Sequence, residues 1–566
     1  MTTGSFRVKI PRTPSPGTET SPLAPSAPGA AAPAELPGTF ITAMPPLLEP
    51  TMKELEVSAV NPPYSYSRVT YNDRNKEYLY EVIEPQLSAH EKQLVEHLKQ
   101  TLNRILGSDV GTLSLADKRA YLREEAREYF HSRGITLSPI SMERIVYYTL
   151  RDFVGYGPVD ALIRDLEVED ISCDGVDVPL FIFHGKYESV KTNVTFADEQ
   201  TLDSFIIMLG QRCAKAVSVS APILDGTTPE GHRVQATYGR EVTTRGASFT
   251  IRRFKERPFT PVDLVAMGTA NEEMVAYFWL AAEQGESVIV CGGPAAGKTS
   301  TLNAIALFIP PTAKIVSIED TREVNLPHEN WIPGATRSGT GDRGSDGKAA
   351  GEVDMFDLVR AALRQRPNYI IVGEVRGKET YTMFQAMATG HTTYSTMHAD
   401  SVKSMVNRLE NPPINTPRIL LSALNNVIIQ VQTRSDKGVV RRLKQVLEIV
   451  GFEPETNELI TNTVYEWDPA TDKFVFKGHS FLFDKIMELK NFTTEEMDAE
   501  FQRRTQVIRW LVESKTTDYR QLWRTIAQYY KDPKEVMARV EAASAARQAI
   551  AGTVEAAESP GTGGAP

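Results

Sequence analysis

The chain is poor in cysteine, with only Cys173, Cys213 and Cys291 among 566 residues. These residues lie far apart and form no C-x-x-C pair, which argues against a disulfide framework and against a structural zinc site. A chain with so few, scattered cysteines fits a reducing compartment.

Long hydrophobic runs are also missing. No stretch of about 18 apolar residues occurs, so the sequence predicts no membrane-spanning helix. The first residues, MTTGSFRVKIPRTPSP, carry a few positive charges but lack the apolar segment of a secretory signal. We therefore expect a cytoplasmic protein whose contact with a membrane is indirect, through a partner or a surface.

An excess of positive charge is absent as well. Lys and Arg number 62 against 72 Asp and Glu, which gives a formal net charge of -10. A mildly acidic chain is a poor starting point for binding nucleic acid, although a local basic patch is compatible with this balance. We expect no nucleic-acid partner.

Composition and periodicity divide the chain into segments. Residues 1–55 are rich in proline and alanine, and because proline removes backbone donors and fixes φ, we expect a disordered tail. Residues 60–256 mix helical and strand patterns and predict an N-terminal α/β domain, followed by a linker at residues 257–268. In residues 269–535, short apolar strands alternate with helices, which is typical of a parallel sheet covered on both faces. We expect residues 541–566 to form a flexible C-terminal tail.

Two helices have clear local signals. LSAHEKQLVEHLKQTLNRIL, residues 87–106, repeats apolar residues with a 3.6-residue period. TTEEMDAEFQRRTQVIRWLVES begins with Thr493 and Glu496 at the spacing of a capping box, so we expect a helix to start there.

The segment ESVIVCGGPAAGKTSTLNA carries the strongest motif. Residues 292–299, GGPAAGKT, match G-x-x-x-x-G-K-[ST] between a predicted strand and a predicted helix. Small residues let backbone N–H groups converge on phosphate oxygens, and the following helix adds its positive N-terminal end. Lys298 is predicted to reach the β- and γ-phosphates, and the Thr299 hydroxyl to hold Mg²⁺. The predicted phosphate-binding residues are Gly292, Gly293, Pro294, Ala295, Ala296, Gly297, Lys298, Thr299 and Ser300.

Carboxylates follow two of the later apolar strands. KIVSIEDTREV contains Glu319, Asp320 and Glu323 directly after one strand, and YIIVGEVRG contains Glu374 at the end of another. Parallel strands bring their C-terminal ends to one edge of the sheet, which is also the edge of the phosphate loop. There, a carboxylate can orient water or hold the hydration shell of a metal ion.

Two histidines lie at the ends of one more predicted strand. GHTTYSTMHAD contains His391 and His398, two of the nine histidines of the chain. A packed or surface role is as compatible with this pattern as a role in the site. The spacing suits no zinc pattern.

These motifs together resemble the four boxes of the ATPases that power type II secretion, type IV pili and archaeal motility filaments. The phosphate loop, IEDTREV, IIVGEVRG and TGHTTYSTMHA stand in the family order between residues 292 and 399. Flanking segments such as LRQRPNYIIVGEVRG and SFTIRRF resemble the archaeal branch. The four-cysteine zinc knuckle that is usual in the bacterial assembly members is absent, which also favours that branch.

The resemblance implies a RecA-like P-loop (ASCE) ATPase domain with a parallel sheet, a separate α/β N-terminal domain that closes over the nucleotide, and a ring of six copies. ATP and Mg²⁺ are the implied cofactors, and a polytopic membrane platform protein is the implied partner. By position, Glu323 resembles the residue that positions the attacking water, Glu374 the acid of the metal shell, and Lys298 the phosphate-binding lysine. His391 and His398 resemble the pair that senses nucleotide or stiffens the site. The family also directs arginines of the N-terminal domain at the γ-phosphate, for which the candidates are Arg233, Arg240, Arg252 and Arg253.

Two other functions stay open. A nucleic-acid translocase or conjugation motor has the same RecA-like fold, but the charge balance and the acidic and histidine boxes argue against it. A regulatory protein that binds ATP without turnover is opposed by the presence of Glu323 and Glu374. The glycine-rich loop TRSGTGDRGSDGKAAGEVD, residues 336–354, is long for the family, and we expect it to move with nucleotide or to be disordered.

Overall fold

A computed structural model describes residues 40–41, 44–105, 114–255, 257–337, 339–343, 348–435, 438–453, 455 and 458–558. Most of the predicted N-terminal tail (residues 1–39 and 42–43) lies outside the described residues, as do residues 559–566 of the predicted C-terminal tail. Residues 338 and 344–347 of the glycine-rich loop are outside them too. The chain divides into two compact units, one formed by the residues up to 76 with residues 81–161, the other by residues 77–80 and those from 162 onward.

The first unit combines a β-hairpin with a group of helices. Its elements are β1 (Met52–Asn61), β2 (Ser65–Asn72), β3 (Glu77–Ile83, whose first four residues belong to the second unit), α1 (Ala89–Ile105), α2 (Leu115–Ser132) and α3 (Pro139–Phe153). Strands β1 and β2 pair antiparallel, with Met52 opposite Asn72. The three helices pack through Leu98, Phe130 and Ile145, which are all buried. The helix predicted within residues 87–106 is thereby confirmed, and its apolar face is the buried one.

The second unit begins with an antiparallel sheet. Its elements are α4 (Asp160–Arg164, which starts in the first unit), β4 (Val168–Cys173), β5 (Phe181–His184), β6 (Glu188–Thr192), α5 (Glu199–Arg212), β7 (Ile223–Thr227), β8 (Arg233–Thr237) and β9 (Ser248–Arg252). The strands follow the order β6-β5-β4-β9-β8-β7, and every neighbouring pair is antiparallel. Helix α5 buries Leu202, Ile206 and Leu209.

The rest of the second unit is built around a larger sheet. Its elements are α6 (Pro261–Ala266), α7 (Glu272–Glu283), β10 (Val288–Gly292), α8 (Lys298–Ala306), β11 (Ile315–Glu319), β12 (Trp331–Ala335), β13 (Thr340–Arg343), β14 (Ala349–Ala350), α9 (Met355–Leu363), β15 (Tyr369–Glu374), α10 (Glu379–Ala388), β16 (Thr392–Met397), α11 (Val402–Glu410), β17 (Asn426–Ser435), β18 (Gly438–Phe452), β19 (Leu459–Asp468), β20 (Lys473–Phe476), α12 (Phe481–Lys490), α13 (Thr494–Glu513), α14 (Tyr519–Lys531) and α15 (Pro533–Glu558).

The strand order of this sheet is β12-β11-β15-β16-β10-β17-β18-β19-β20. The six strands from β12 to β17 are mutually parallel, and β18, β19 and β20 continue the sheet antiparallel. Strand β16 is inserted between β10, which leads into the phosphate loop, and β15, which carries a strand-end glutamate. This insertion is the mark of RecA-like P-loop ATPases, so the predicted fold class is confirmed.

Helices cover both faces of the sheet. Alternate residues of β10 enter different cores: Val290 packs with α7 and α13, whereas Ile289 packs with the helices α9 to α11. Helix α7 is buried almost all round, and its Trp279 stacks on Phe308 with ring centroids 5.4 Å apart. The capping box predicted at Thr493 is present at the start of α13.

The two segments predicted as a linker and a tail contain helices. Helix α6 lies within residues 257–268 and buries Val262 and Leu264. Helix α15 continues to Glu558, through most of residues 541–566. The domain boundaries given above stay predictions. Among the described residues, no helix is long and apolar enough to cross a membrane.

Candidate functional site

The phosphate loop connects β10 to α8 at the C-terminal edge of the parallel strands. A Cβ on Gly292 would lie 2.5 Å from the backbone oxygen of Gln430, so only glycine fits there. Gly297 has a φ of 94° and caps α8, and Ala295 also has a positive φ, of 55°. Gly293, Pro294 and Ala295 are exposed, and a Cβ on Gly293 would meet open space. The loop is therefore an open cradle of small residues, which suits a phosphate chain.

Lys298 is the first residue of α8, and its side chain turns back over the loop. Its Nζ donates to the backbone oxygen of Gly293 at 2.9 Å and lies 3.3 Å from Nδ1 of His398. Burial lowers the pKa of Lys298, and the nearby Glu374 and Glu323 carboxylates act in the opposite direction. The cation is thus held close to the loop that is predicted to receive phosphate.

His398 joins the lysine to the acid of strand β15. Its Nε2 lies 3.3 Å from Oε1 of Glu374, and its Nδ1 faces the ammonium group of Lys298. A neutral ring with the proton on Nε2 satisfies both neighbours, because Nδ1 then accepts and Nε2 donates. Strand β16 is the element that delivers His398 to this edge, because it ends one residue earlier at Met397.

His391 lies at the other edge of the sheet. It precedes β16, whereas His398 follows it, and a strand of six residues spans about 20 Å. Its Nδ1 lies 3.3 Å from the hydroxyl of Thr389, at the end of α10. The structure therefore brings His398, but not His391, to the phosphate loop.

The three acids at the end of β11 and just after it have different environments. Glu319 is only 2% exposed, and its Oε1 accepts the backbone N–H groups of Glu323 and Val324. Asp320 forms an ion pair with Arg376. Glu323 is exposed, and its carboxylate contributes to the electrostatic environment of Lys298. Of the three, only Glu323 has a carboxylate that is both exposed and free of an ion pair within the described residues.

Burial raises the pKa of Glu319 from an ordinary 4.5 to about 7. The folded chain binds the proton of Glu319 more tightly than the unfolded chain does. Proton binding by Glu319 therefore stabilises the fold fully below pH 4.5, and this contribution to the free energy of unfolding is lost as the pH rises through 7. The loss amounts to roughly 3 kcal/mol. Glu319→Gln cannot titrate at this position, so it does not undergo this loss. We therefore expect the melting temperature of the variant minus that of the wild type to be a few degrees larger at pH 8.5 than at pH 5. A difference that does not change with pH, measured by thermal unfolding, would contradict this prediction.

The four arginine candidates lie in the strands of the antiparallel sheet or just after them. Arg233 lies 3.8 Å from Asp225, and Arg240 pairs with Glu199. Arg253 donates to the backbone oxygens of Asp165 and Val168, the latter at 2.6 Å, and these hydrogen bonds stabilise the fold.

Arg252 differs from the other three candidates. It is 64% exposed, and its Nε donates to Asp170 at 2.9 Å. The hydrogen bond to Asp170 raises the pKa of this guanidinium, and the Glu323 carboxylate adds to the increase. Arg252 is the candidate that lies within electrostatic reach of the exposed acid Glu323.

Two residues of the β17–β18 hairpin support the phosphate loop from outside, and the sequence motifs do not include them. Nε of Arg441 donates to the backbone oxygen of Ala295 at 2.9 Å. Gln430 is buried against the loop, and a Cβ on Gly297 would lie 3.0 Å from its Nε2 and 3.2 Å from Cδ of Arg441. No spacing in the sequence indicates these contacts, because they depend on the pairing of β17 with β10.

The residues at this edge have the chemistry that Mg²⁺ and ATP require. Thr299 and Ser300 follow Lys298 in the first turn of α8, and Glu374 supplies a carboxylate near the same edge. Hydroxyl and carboxylate oxygens are the ligands that Mg²⁺ prefers, usually together with water and substrate phosphates. The open glycine cradle and this oxygen donor set therefore fit Mg²⁺-ATP.

Comparisons with known proteins find related sequences and structures. A family model described as "Type II/IV secretion system protein" matches residues 156–541. An uncharacterized protein of Methanocaldococcus jannaschii is 35% identical over 441 residues, which are 77% of this chain and 78% of that protein. The type IV secretion system protein PtlH of Bordetella pertussis is 29% identical over 266 residues, covering 41% of this chain and 77% of PtlH. Among solved structures, the Legionella pneumophila ATPase DotB has 18% identity and a TM-score of 0.36, with 72% of this chain and 96% of DotB covered.

Proposed function

The chain belongs to the type II/IV secretion system protein family, and we propose that it is an Mg²⁺-dependent ATPase motor that works as a ring of six copies. Its hydrolysis of ATP would power the assembly of a type IV pilus-like or archaeal motility filament, or a related secretion step, through a membrane platform protein. The observation that supports the enzymatic part most directly is the chain of contacts from Lys298 through His398 to Glu374 beside the phosphate loop.

Each residue of the site has a chemical task in this proposal. The backbone of the loop and Lys298 would bind the phosphates, and the Thr299 hydroxyl and the Glu374 carboxylate would hold the metal ion. When bound, Mg²⁺ would neutralise the negative charge that develops on the phosphates. Glu323 orients the attacking water, for which its exposed carboxylate is suited. His398 keeps Lys298 and Glu374 at a fixed separation, so that phosphate binding and metal binding occur together.

Arg252 would complete the site when the antiparallel sheet approaches the nucleotide. An arginine is a fixed charge, so hydrolysis becomes fast only when the movement has brought it to the γ-phosphate. In this way the reaction is coupled to motion, as a motor requires. We place the protein at the inner face of the cell membrane, held there by the platform partner.

The proposal is tested by measuring phosphate release from ATP by the purified chain, with Mg²⁺ and with EDTA, together with native mass spectrometry under ATP. We expect turnover that depends on Mg²⁺ and assemblies of six copies. Because a platform protein or lipid can be required for activity in such motors, the assay is repeated with membranes from the source cells. Tight binding of ATP without turnover under either condition would instead support a regulatory ATP-binding protein.

Lys298→Ala tests the phosphate-binding role. A hydrogen bond from a charged donor contributes about 1.5–3 kcal/mol, so ATP affinity should fall by roughly 10- to 100-fold, with turnover lost as well. Lys314→Ala is the matched control, because Lys314 precedes β11 at the other edge of the sheet and donates to Gln365 there. Titration with a fluorescent ATP analogue measures both affinities. Equal affinity in the Lys298 and Lys314 variants would refute the assignment.

A further inference from the structure

We infer that Glu319 is a positioning residue for hydrolysis, because one buried side chain contacts the backbone segments that carry both proposed acids, Glu323 and Glu374. This inference rests on the proposed function and extends it. Glu319 does not touch the reacting atoms in our proposal. It acts through the residues that do.

The first contact fixes the segment after β11 that carries Glu323. Glu319 is the last residue of β11, in the interior of the parallel sheet. Its Oε1 accepts the N–H groups of Glu323 and Val324, each at 2.9 Å. Two donors on a single oxygen hold the backbone of residue 323 in one orientation, which sets the direction in which the Glu323 side chain leaves it.

The second contact is with the neighbouring strand. A Cβ on Gly373 would lie 3.1 Å from Cγ of Glu319, so the absence of a side chain at this position lets Glu319 pack directly on the β15 backbone. Gly373 immediately precedes Glu374, at an irregularity in the pairing of β15 with β16. Its carbonyl accepts from the hydroxyl of Thr396 at 2.8 Å. Glu319 thus lies between the turn that presents Glu323 and the bulge that presents Glu374.

The energetics of the side chain agree with a positioning role. Oε2 of Glu319 is buried without a hydrogen-bond partner in the described part of the chain, and such a group lowers stability. The two hydrogen bonds that Oε1 accepts are the favourable interactions that offset this cost. The neighbouring acid Asp320 faces outward to Arg376 and makes neither contact.

The length of the side chain and its carboxyl group can be tested separately. Glu319→Asp keeps a carboxyl group but withdraws its oxygens by one methylene, so they cannot reach both N–H groups. Glu319→Gln removes the ionisable carboxyl group but keeps an acceptor of the same reach. Because a displacement of about 1 Å can lower a rate about 100-fold, we expect kcat of Glu319→Asp to fall about 100-fold, and kcat of Glu319→Gln to stay within about tenfold of the wild type. ATP affinity should change less than about threefold in both, and Glu329→Gln, at an exposed acid before β12, serves as the control.

A double-mutant cycle distinguishes positioning from a general loss of structure. If Glu319 acts through Glu323, then Glu319→Asp should lower kcat by less than about threefold when Glu323→Gln is already present. A full 100-fold loss in that background and also in a Glu374→Gln background would overturn the inference, as would a Glu319→Gln variant that is less active than Glu319→Asp, since Glu319 would then act as a base itself. If the wild type hydrolyses ATP and Glu319→Asp is equally fast, the inference fails and the proposed function stands. A wild type that binds but never hydrolyses ATP overturns both.

Discussion

Glu323→Gln is expected to lower kcat about 100- to 10,000-fold while ATP binding changes little. A positioned carboxylate contributes about this much when it takes up a proton or orients water in the transition state. Glutamine has the same shape but cannot accept the proton, so the loss appears in kcat and not in the affinity. Because the Glu323 side chain is exposed, its replacement leaves the core unchanged and the variant should fold normally.

The measurement is single-turnover hydrolysis with a parallel titration of ATP binding. Glu329→Gln is a suitable control, because Glu329 is exposed but precedes β12, at the opposite edge of the sheet from the phosphate loop. We expect the control to retain wild-type turnover. Unchanged turnover in Glu323→Gln would transfer the water-positioning role to Glu374, since Glu319 is buried and its Oε1 is occupied by two backbone donors.

The parts of the site that depend on strand order could be predicted from the sequence. A phosphate loop between a strand and a helix fixes which edge of a parallel sheet is functional, and the strand-end acids must then converge there. The structure brings Lys298, Glu374 and His398 together in this way. The start of α13 at Thr493 was equally predictable, because a capping box is a purely local arrangement.

The parts that depend on pairing and burial could not be predicted. IEDTREV contains three acids within five residues, and only the packing against Gly373 identifies Glu319 as the buried one. By contrast, the opposite positions of His391 and His398 follow from the six-residue strand that the sequence already predicts between them. Arg441 reaches the phosphate loop from a hairpin almost 150 residues away along the chain, and no local pattern carries that information.

Arg252 and Arg253 show how the alternation of side-chain directions along a strand separates two candidates that the sequence alone could not separate. Arg252 ends β9 and Arg253 follows it, so the two side chains leave the sheet in opposite directions. Arg253 is engaged by the backbone oxygen of Val168. Arg252 is exposed and lies close enough to Glu323 for that carboxylate to raise the pKa of its guanidinium group. Only one of two adjacent arginines is therefore available to meet a nucleotide.

Arg252→Ala is accordingly expected to reduce kcat about 1,000-fold, which is the lower end of the effect of an arginine that stabilises the charge of phosphoryl transfer. Asp170 holds Arg252 in the structure, so the guanidinium must leave this partner to reach the γ-phosphate, and Asp170→Asn should lower that barrier and leave or raise the rate. Arg240→Ala is the matched control, because Arg240 is equally exposed and is paired with Glu199. Stopped-flow phosphate release measures all three variants. If the Arg240 and Arg252 variants lose activity equally, the effect belongs to the charge of the sheet as a whole, and Arg252 is not the residue that contacts the phosphate.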